Sequence, residues 1–306
     1  MMRASDRDDR PTPTESGFAM PIATASEPTS EQNSAATAPR NAQERPVVLE
    51  ARHLGVTYGR GRSAVTAIGD VSFQARAGEF LSIVGPSGCG KTTLLKALSG
   101  LLRPTTGEVR VNGTPASGVT PGVAMVFQEY TRSLMPWQKV RANVEFPLRG
   151  TGLPKRELAA RAAKALSEVG LADVGDKYPW QLSGGMQQRV AIARALAFQP
   201  NVLLMDEPFA SLDAQVRGDL EDLLLHVHAR TGMTIILVTH DIDESVYLGD
   251  RVIALSHRPT RVRTTIDVDL PRPRDQIHTK ALGGFIDLRT RVLELIVAER
   301  SVDPDS

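Results

Sequence analysis

Three groups of side chains in this sequence are of the kinds that handle phosphate, metal and water. The first is Gly85-Pro86-Ser87-Gly88-Cys89-Gly90-Lys91-Thr92, which fits the spacing G-x-x-x-x-G-K-[ST] in full. Its glycines let the backbone curl so that successive N–H groups face phosphate oxygens, and a helix starting behind it adds the positive end of its dipole. Lys91 supplies a point charge for β- and γ-phosphates, and the Thr92 hydroxyl can ligate Mg²⁺. Cys89 reads as a small side chain that fits the loop. The second group is Asp206-Glu207, at the end of the apolar run VLLMDE. A strand alternates its side chains, so these carboxylates cannot share one face while the strand stays regular. One can serve a metal shell while the other approaches the γ-phosphate, where a Glu207 orienting or deprotonating water suffices for phosphoryl transfer. Alone, such a pair is more often a solvated strand end; the phosphate loop upstream reverses that reading. The third group is His240, closing TIILVTH, and Gln128, just past VAMVF. Each is ordinarily structural. In a nucleotide site the imidazole can bond the γ-phosphate and the base, and the Gln can contact Mg²⁺ and the attacking water.

These groups need elements to hold them. EFLSIVG (Glu79–Gly85), NVLLMDE (Asn201–Glu207) and TIILVTH (Thr234–His240) read as buried strands. KTTLLKALSGLL (Lys91–Leu102) and the stretch from about Asp213 to Thr231 have helical spacing. Buried strands separated by helices imply crossover connections and a mostly parallel sheet. Leu153 to about Gly170 is Ala-, Lys- and Glu-rich with helical period and predicts a separate small helical lobe. FIDLRTRVLELI, after about Asp275, predicts one amphipathic helix closing the domain. Residues 1–46 are dominated by Ala, Pro, Ser and Thr, and cannot bury enough surface to offset the entropy of ordering them. They are expected to form a disordered extension, with Met20 as an alternative start.

Composition narrows the function further. The 306 residues carry 36 basic and 35 acidic side chains, a formal charge of +1, which excludes a strongly basic nucleic-acid-coating protein and an acidic solvating chain. No apolar run approaches the roughly 20 residues that span a bilayer, so the chain is no pore by itself. The single cysteine excludes an intrachain disulfide and a Cys-based zinc site, and fits a reducing compartment.

One more segment, Leu182-Ser183-Gly184-Gly185-Met186-Gln187-Gln188-Arg189, opens a helix running through VAIARALA. Ser183 can cap it, and the paired glycines permit close approach to an anion. A second phosphate-binding element in one chain is redundant unless it serves another chain's nucleotide. With LSGGMQQR lying between GPSGCGKTT and LLMDEP, the sequence resembles the ATP-binding cassette (ABC) proteins over roughly Val47 to Leu270. The resemblance implies an α/β fold: a P-loop NTPase core of RecA type with a mixed, mainly parallel sheet, an antiparallel β-subdomain and a small helical subdomain. The implied organisation is an ATPase domain at 47–275, its helical subdomain at about 130–185, then a C-terminal helix and tail at 276–306. ATP and Mg²⁺ are the implied cofactors. Tyr58 would stack on adenine; Gly85, Pro86, Ser87, Gly88, Cys89, Gly90, Lys91, Thr92 and Thr93 would cradle the phosphates. Thr92, Gln128 and Asp206 would hold the metal, and Glu207, Gln128 and His240 would act in hydrolysis. Ser211-Leu212-Asp213 matches the D-loop. Family members pair head to tail, so Ser183, Gly184, Gly185 and Gln187 would cap ATP held by a partner copy.

FQEYTRSLMPWQKVRANVEFPL (Phe127–Leu148), YPWQLSGGMQQRVAIARAL and DLPRPRD (Asp269–Asp275) resemble the nitrate/sulfonate/taurine branch. That likeness implies an importer ATPase on the cytoplasmic face of the inner membrane. Its partners would be integral-membrane permease subunits and, indirectly, an extracytoplasmic binding protein, with no nucleic acid. Met135-Pro136-Trp137 would meet the permease's cytoplasmic helix, or else pack within the lobe. Two other readings share the chemistry: a non-transport ABC ATPase regulating or assembling a soluble complex, and an efflux or lipid-trafficking cassette.

Overall fold

The computed structural model describes residues 45–129 and 133–300, so the expected N-terminal extension lies outside the described residues except for Arg45 and Pro46. Among them are strands β1 (Val47–Tyr58), β2 (Val65–Arg76), β3 (Phe80–Val84), β4 (Thr106–Val111), β5 (Thr114–Pro115), β6 (Val123–Val126), β7 (Val202–Asp206), β8 (Thr234–Val238), β9 (Arg251–Leu255) and β10 (Thr260–Asp267). Helices are α1 (Lys91–Leu98), α2 (Val140–Glu145), α3 (Lys155–Glu168), α4 (Gly184–Ala197), α5 (Ala214–Thr231), α6 (Ile242–Leu248) and α7 (Gly283–Arg300).

The strands form one sheet in the order β5-β4-β1-β2-β10-β9-β3-β8-β7-β6. From β9 to β6 every pairing is parallel, as buried strands joined by helices require. The other wing, β5-β4-β1-β2, is antiparallel. The mixed α/β architecture implied by the family resemblance is therefore present.

Period-2 alternation sorts the apolar runs onto two cores. Phe80, Leu203, Met205, Ile235 and Leu237 face one core, with α4, α5 and the helical lobe. Leu81, Ile83, Leu204, Ile236 and Val238 face the other, with α1 and the antiparallel wing. Both faces are covered, so these strands carry no polar side. α1 is shorter than its apolar spacing predicts: it stops at Leu98, and Ser99 caps it before the chain turns at Gly100. α5 begins where expected, with Asp213 accepting from the Val216 amide.

The closing helix departs from expectation. α7 buries Phe285, Val292 and Ile296 but also exposes Ile286 and Leu293, so apolar side chains lie on both its sides and it is not simply amphipathic.

The DLPRPRD segment clasps the core. Arg274 is buried, and its Nη1 donates to the carbonyls of Val246 (3.4 Å), Tyr247 (2.8 Å) and Gly249 (2.8 Å), closing the C-terminal end of α6. Arg272 pairs with Asp250, which itself accepts from the Phe80 amide at the start of β3. Burial lowers the Arg274 pKa to about 10, so the group stays charged at neutral pH. Replacing Arg274 by Leu leaves buried carbonyls without donors, and urea unfolding should show a loss of about 2–4 kcal/mol.

Candidate active site

Four loops leave the carboxyl ends of adjacent parallel strands and converge. The Gly85–Thr92 turn follows β3, Thr239 and His240 follow β8, Glu207 follows β7, and Gln128 lies two residues past β6. In an open α/β sheet this edge is where a ligand binds. The loop-to-strand seams are hydrogen-bonded: Glu207 N donates to Val238 O (2.9 Å) and Thr239 N to Ile83 O (3.1 Å).

The phosphate loop is built for close quarters. A Cβ on Gly85 would stand 3.0 Å from both Cys89 Sγ and the Leu255 side chain. Gly88 and Gly90 take positive φ, and Gly90 precedes the first residue of α1. Cys89 is buried, and burial raises its thiol pKa, which suits a space-filling role. Lys91 Nζ donates to the carbonyls of Gly85 (2.9 Å) and Pro86 (3.1 Å) and lies 4.0 Å from Glu207 Oε1. Its ammonium is already held at the loop and needs only to exchange carbonyl for phosphate oxygens.

The adjacent carboxylates part company. Asp206 ends β7 and points to Thr92, whose hydroxyl donates to Oδ1 at 3.2 Å. Burial is the main reason that the Asp206 carboxyl titrates above its usual range. Glu207 adopts φ +43°, leaving the strand in the left-handed region. That turn brings its carboxylate to Gln128, whose Nε2 donates to Oε2 at 3.3 Å, and to His240, whose Nδ1 lies 2.9 Å from the same oxygen. A carboxylate only accepts, so the ring presents Nδ1–H there. Glu207, Gln128 and His240, read separately from the sequence, thus form one cluster.

The donor set fits a magnesium nucleotide. Thr92 hydroxyl, Asp206 carboxylate and Gln128 carbonyl offer hard oxygen donors, and a buried carboxylate with the Glu207 carboxylate next to it favours added positive charge. Tyr58, at the end of β1, is 44% exposed and its hydroxyl lies 3.2 Å from Thr93 Oγ1, so its ring borders the loop with room for a flat partner.

The Ser183 segment lies elsewhere. Ser183 caps α4, accepting from Met186 N at 3.4 Å, and Gln187 Nε2 donates back to Leu182 O. Among the described residues no hydrogen bond joins this segment to the Gly85–Thr92 turn. Gly184 is exposed; Gly185 is buried, and a Cβ there would stand 2.5 Å from Val216 Cγ1. The second glycine thus lets α4 approach α5 closely.

Trp137 is 73% exposed, so packing within the lobe does not account for it. Buried Asn143 staples the turn that displays it, accepting from Met135 N and donating to the carbonyls of Met135 and Gln138. Beside the lobe lies an apolar groove of about 670 Å³, lined by Met125, Phe127, Phe146, Pro147, Ala195 and Phe198. Phe127 and Phe146 fall in the Phe127–Leu148 segment that carries the branch resemblance, whereas Phe198 lies outside every segment quoted from sequence.

Two supporting residues carry no local sequence signal. Buried Thr260, at the start of β10, donates its hydroxyl to the Cys89 carbonyl and braces the phosphate loop from behind. Glu244, in α6, accepts from Thr239 Oγ1 at 2.6 Å, directly beside His240.

Residues 68–210 match the ABC transporter family model. An uncharacterized ABC transporter ATP-binding protein of Methanocaldococcus jannaschii is 44% identical over 83% of this chain and 92% of its own length. The taurine import ATP-binding protein TauB of Chromobacterium violaceum is 42% identical over 78% of this chain and 92% of its own. The nitrate import ATP-binding protein NrtC of Synechococcus elongatus is 39% identical over 78% of this chain, which spans only 37% of that protein. Among solved structures, the dimeric post-hydrolysis state of the ATP-binding cassette MJ0796 with ADP and Pi is 33% identical, with a TM-score of 0.63 over 72% of this chain and 98% of that one.

Burial raises the Glu244 pKa from 4.5 to about 8, with Asp241 and Glu221 adding to the rise. Between those two values the folded chain holds a proton that the unfolded chain has released, so Glu244 makes stability fall as pH climbs. Urea unfolding at pH 5.5 and pH 8 should show that decline in the parent and a flatter profile in Glu244→Gln.

Proposed function

The chain belongs to the ATP-binding proteins of the ABC transporter family, and from that premise we propose that it is the ATPase subunit of an importer for a small anion. Two copies enclose two ATP molecules and drive separate integral-membrane permease subunits from the cytoplasmic face. The observation that carries the hydrolytic part is the convergence of Gln128 and His240 on one oxygen of Glu207.

The chain's own groups divide the work. Backbone amides of the Gly85–Thr92 turn and the Lys91 ammonium hold the phosphates at the start of α1. Thr92, Asp206 and Gln128 would hold Mg²⁺, which supplies charge neutralisation at phosphate oxygens. Glu207, oriented by His240 and Gln128, accepts the proton of the attacking water through its carboxylate. Tyr58 offers its ring to the adenine. Positioning and charge stabilisation account for most of phosphoryl transfer, so fixing these groups matters more than any covalent step.

The dimer reading is supported by the distribution of phosphate-binding elements. Ser183 and Gly184 stand at a helix start that makes no hydrogen bond to this chain's own phosphate loop, and MJ0796 has been seen as a dimer with ADP and Pi. ATP then belongs to the interface, so association rises with ATP and falls after hydrolysis. The permease reading is supported by the groove walled by Phe127, Phe146 and Phe198, and by the exposed Trp137 of the same lobe. An apolar groove of this kind accepts an amphipathic helix through aromatic anchors. Relatives named for taurine and for nitrate are about equally similar, so the cargo class is a small anion and the particular anion is set by the partners.

Glu207→Gln should keep ATP binding, lose turnover and accumulate an ATP-bound dimer, read by size-exclusion chromatography with radiolabelled ATP. Parent-like turnover would remove Glu207 as the base. Mixing with Lys91→Ala chains should lower per-site activity; full activity in mixtures would overturn the shared-site arrangement. Phe146→Asp should leave basal ATPase unchanged while abolishing co-purification with integral-membrane permease subunits from the source cells. Retained co-purification would overturn the groove as the docking place.

A further inference from the structure

His240 is more than half exposed, yet the residues on either side of it are tied down. Thr239 donates to Glu244 and receives the Asp241 amide at 3.0 Å, and Asp241 caps α6 by accepting from Glu244 N at 3.1 Å. Arg289 of α7 pairs with Asp243 on the outer side of this turn, and a second arginine reaches its inner side. Arg217, in the first turn of α5, donates from Nη1 to Asp241 Oδ2 at 3.1 Å and lies 3.9 Å from Glu244 through Nε. Its Nη2 donates to the carbonyl of Leu212 at 3.2 Å. A single planar guanidinium therefore holds the Ser211–Asp213 segment and the histidine turn at once.

We propose that Arg217 is a positioning residue that fixes His240 against Glu207 by locking the histidine turn to the Ser211–Asp213 segment. The geometry favours the arginine fork over a point charge: two nitrogens in one plane satisfy two acceptors on different segments, which a lysine ammonium on a flexible stem holds less rigidly. Arg217 Nε is buried without a hydrogen-bond acceptor. That unmet donor shows the side chain is placed for its two outer contacts, not for a best fit to Glu244. The contacts run without a gap from Leu212 through Arg217, Asp241 and His240 to Glu207. A shift of the Ser211–Asp213 segment thus changes how the histidine meets the base. Among the described residues the hydrogen bonds and ion pairs of Arg217 go to Leu212, Asp241 and Glu244 and none to the phosphate loop, so it acts through His240 and not on the nucleotide.

The proposal rests on His240 and Glu207 acting as a pair in hydrolysis. Its test is a double-mutant cycle on basal ATPase with the full chain, read by single-turnover assay so that large losses stay measurable. Arg217→Met should lower kcat about tenfold with KM for ATP within about twofold, and Arg217→Lys should restore only part of it. In a His240→Ala background the added Arg217→Met change should cost nothing more, because the residue it positions is gone. A general structural defect would instead multiply with the histidine loss. Asp241→Asn keeps the cap acceptor and removes the charge, and should repeat the kcat loss even if Arg217→Met folds poorly. Parent-like turnover in Asp241→Asn, or fully multiplicative losses in the double variant, would overturn the proposal. Parent-like turnover in His240→Ala would instead overturn the functional reading beneath it.

Discussion

Two carboxylates one peptide apart have to face the same crevice and do different things, and the bend at Glu207 is what allows it. A regular strand would send Asp206 and Glu207 to opposite faces. Here β7 ends at Asp206, whose side chain remains with Thr92, and Glu207 turns into the left-handed region toward Gln128 and His240. For a residue with a Cβ that conformation costs about 1 kcal/mol or more, and such strain persists only where the surroundings over-determine it. The surroundings do so here. The Glu207 amide is bonded to Val238, and both neighbouring strands supply a partner for its carboxylate. The site exists because β6, β7 and β8 run parallel in register and end together.

Much of this was legible in the chain. Lys91 and Thr92 are marked by spacing, and the paired carboxylates by their place after an unbroken apolar run. Those runs are unbroken because both faces of the parallel wing are buried, and the same fact gives the sheet its direction. Ser183 announced its helix because a cap is a local event, satisfied within three residues, and Asp213, read only as the start of a periodic stretch, caps α5 in the same way. What stayed hidden depends on contacts between distant segments. Thr260 braces a loop that lies 171 positions earlier, and Arg217 meets Asp241 from 24 positions away. Neither sits in a pattern that distinguishes it from an ordinary polar residue of a strand or helix. The exposed apolar side of α7 was likewise invisible, since an apolar residue reads as core until the neighbouring elements are placed.

The two helix starts proposed to bind phosphate are separated for a physical reason. The start of α1 is wrapped by the Gly85–Thr92 loop that precedes it, so its positive end is closed off by its own chain. α4 begins in the open, capped by Ser183 alone, with an exposed Gly184 and a Gln187 side chain folded back on Leu182. In the proposed dimer the nucleotide completes the second start only by bringing another copy with it. Binding energy that a monomer would keep for affinity becomes available for association, and it is withdrawn when the phosphate leaves.

α4 also joins distant parts of the molecule. Ala191, Arg194 and Ala195, with Phe198 just beyond its end, line the aromatic groove, while Gly185 at the start lies bare against Val216 on α5. Fourteen residues at 1.5 Å each make a rod about 20 Å long. One end of that rod lines the groove, and the other packs closely on α5 through a residue without a side chain. Its contact there, Val216, is the immediate chain neighbour of Arg217, so the close approach of α4 to α5 lies beside the clasp on the histidine turn.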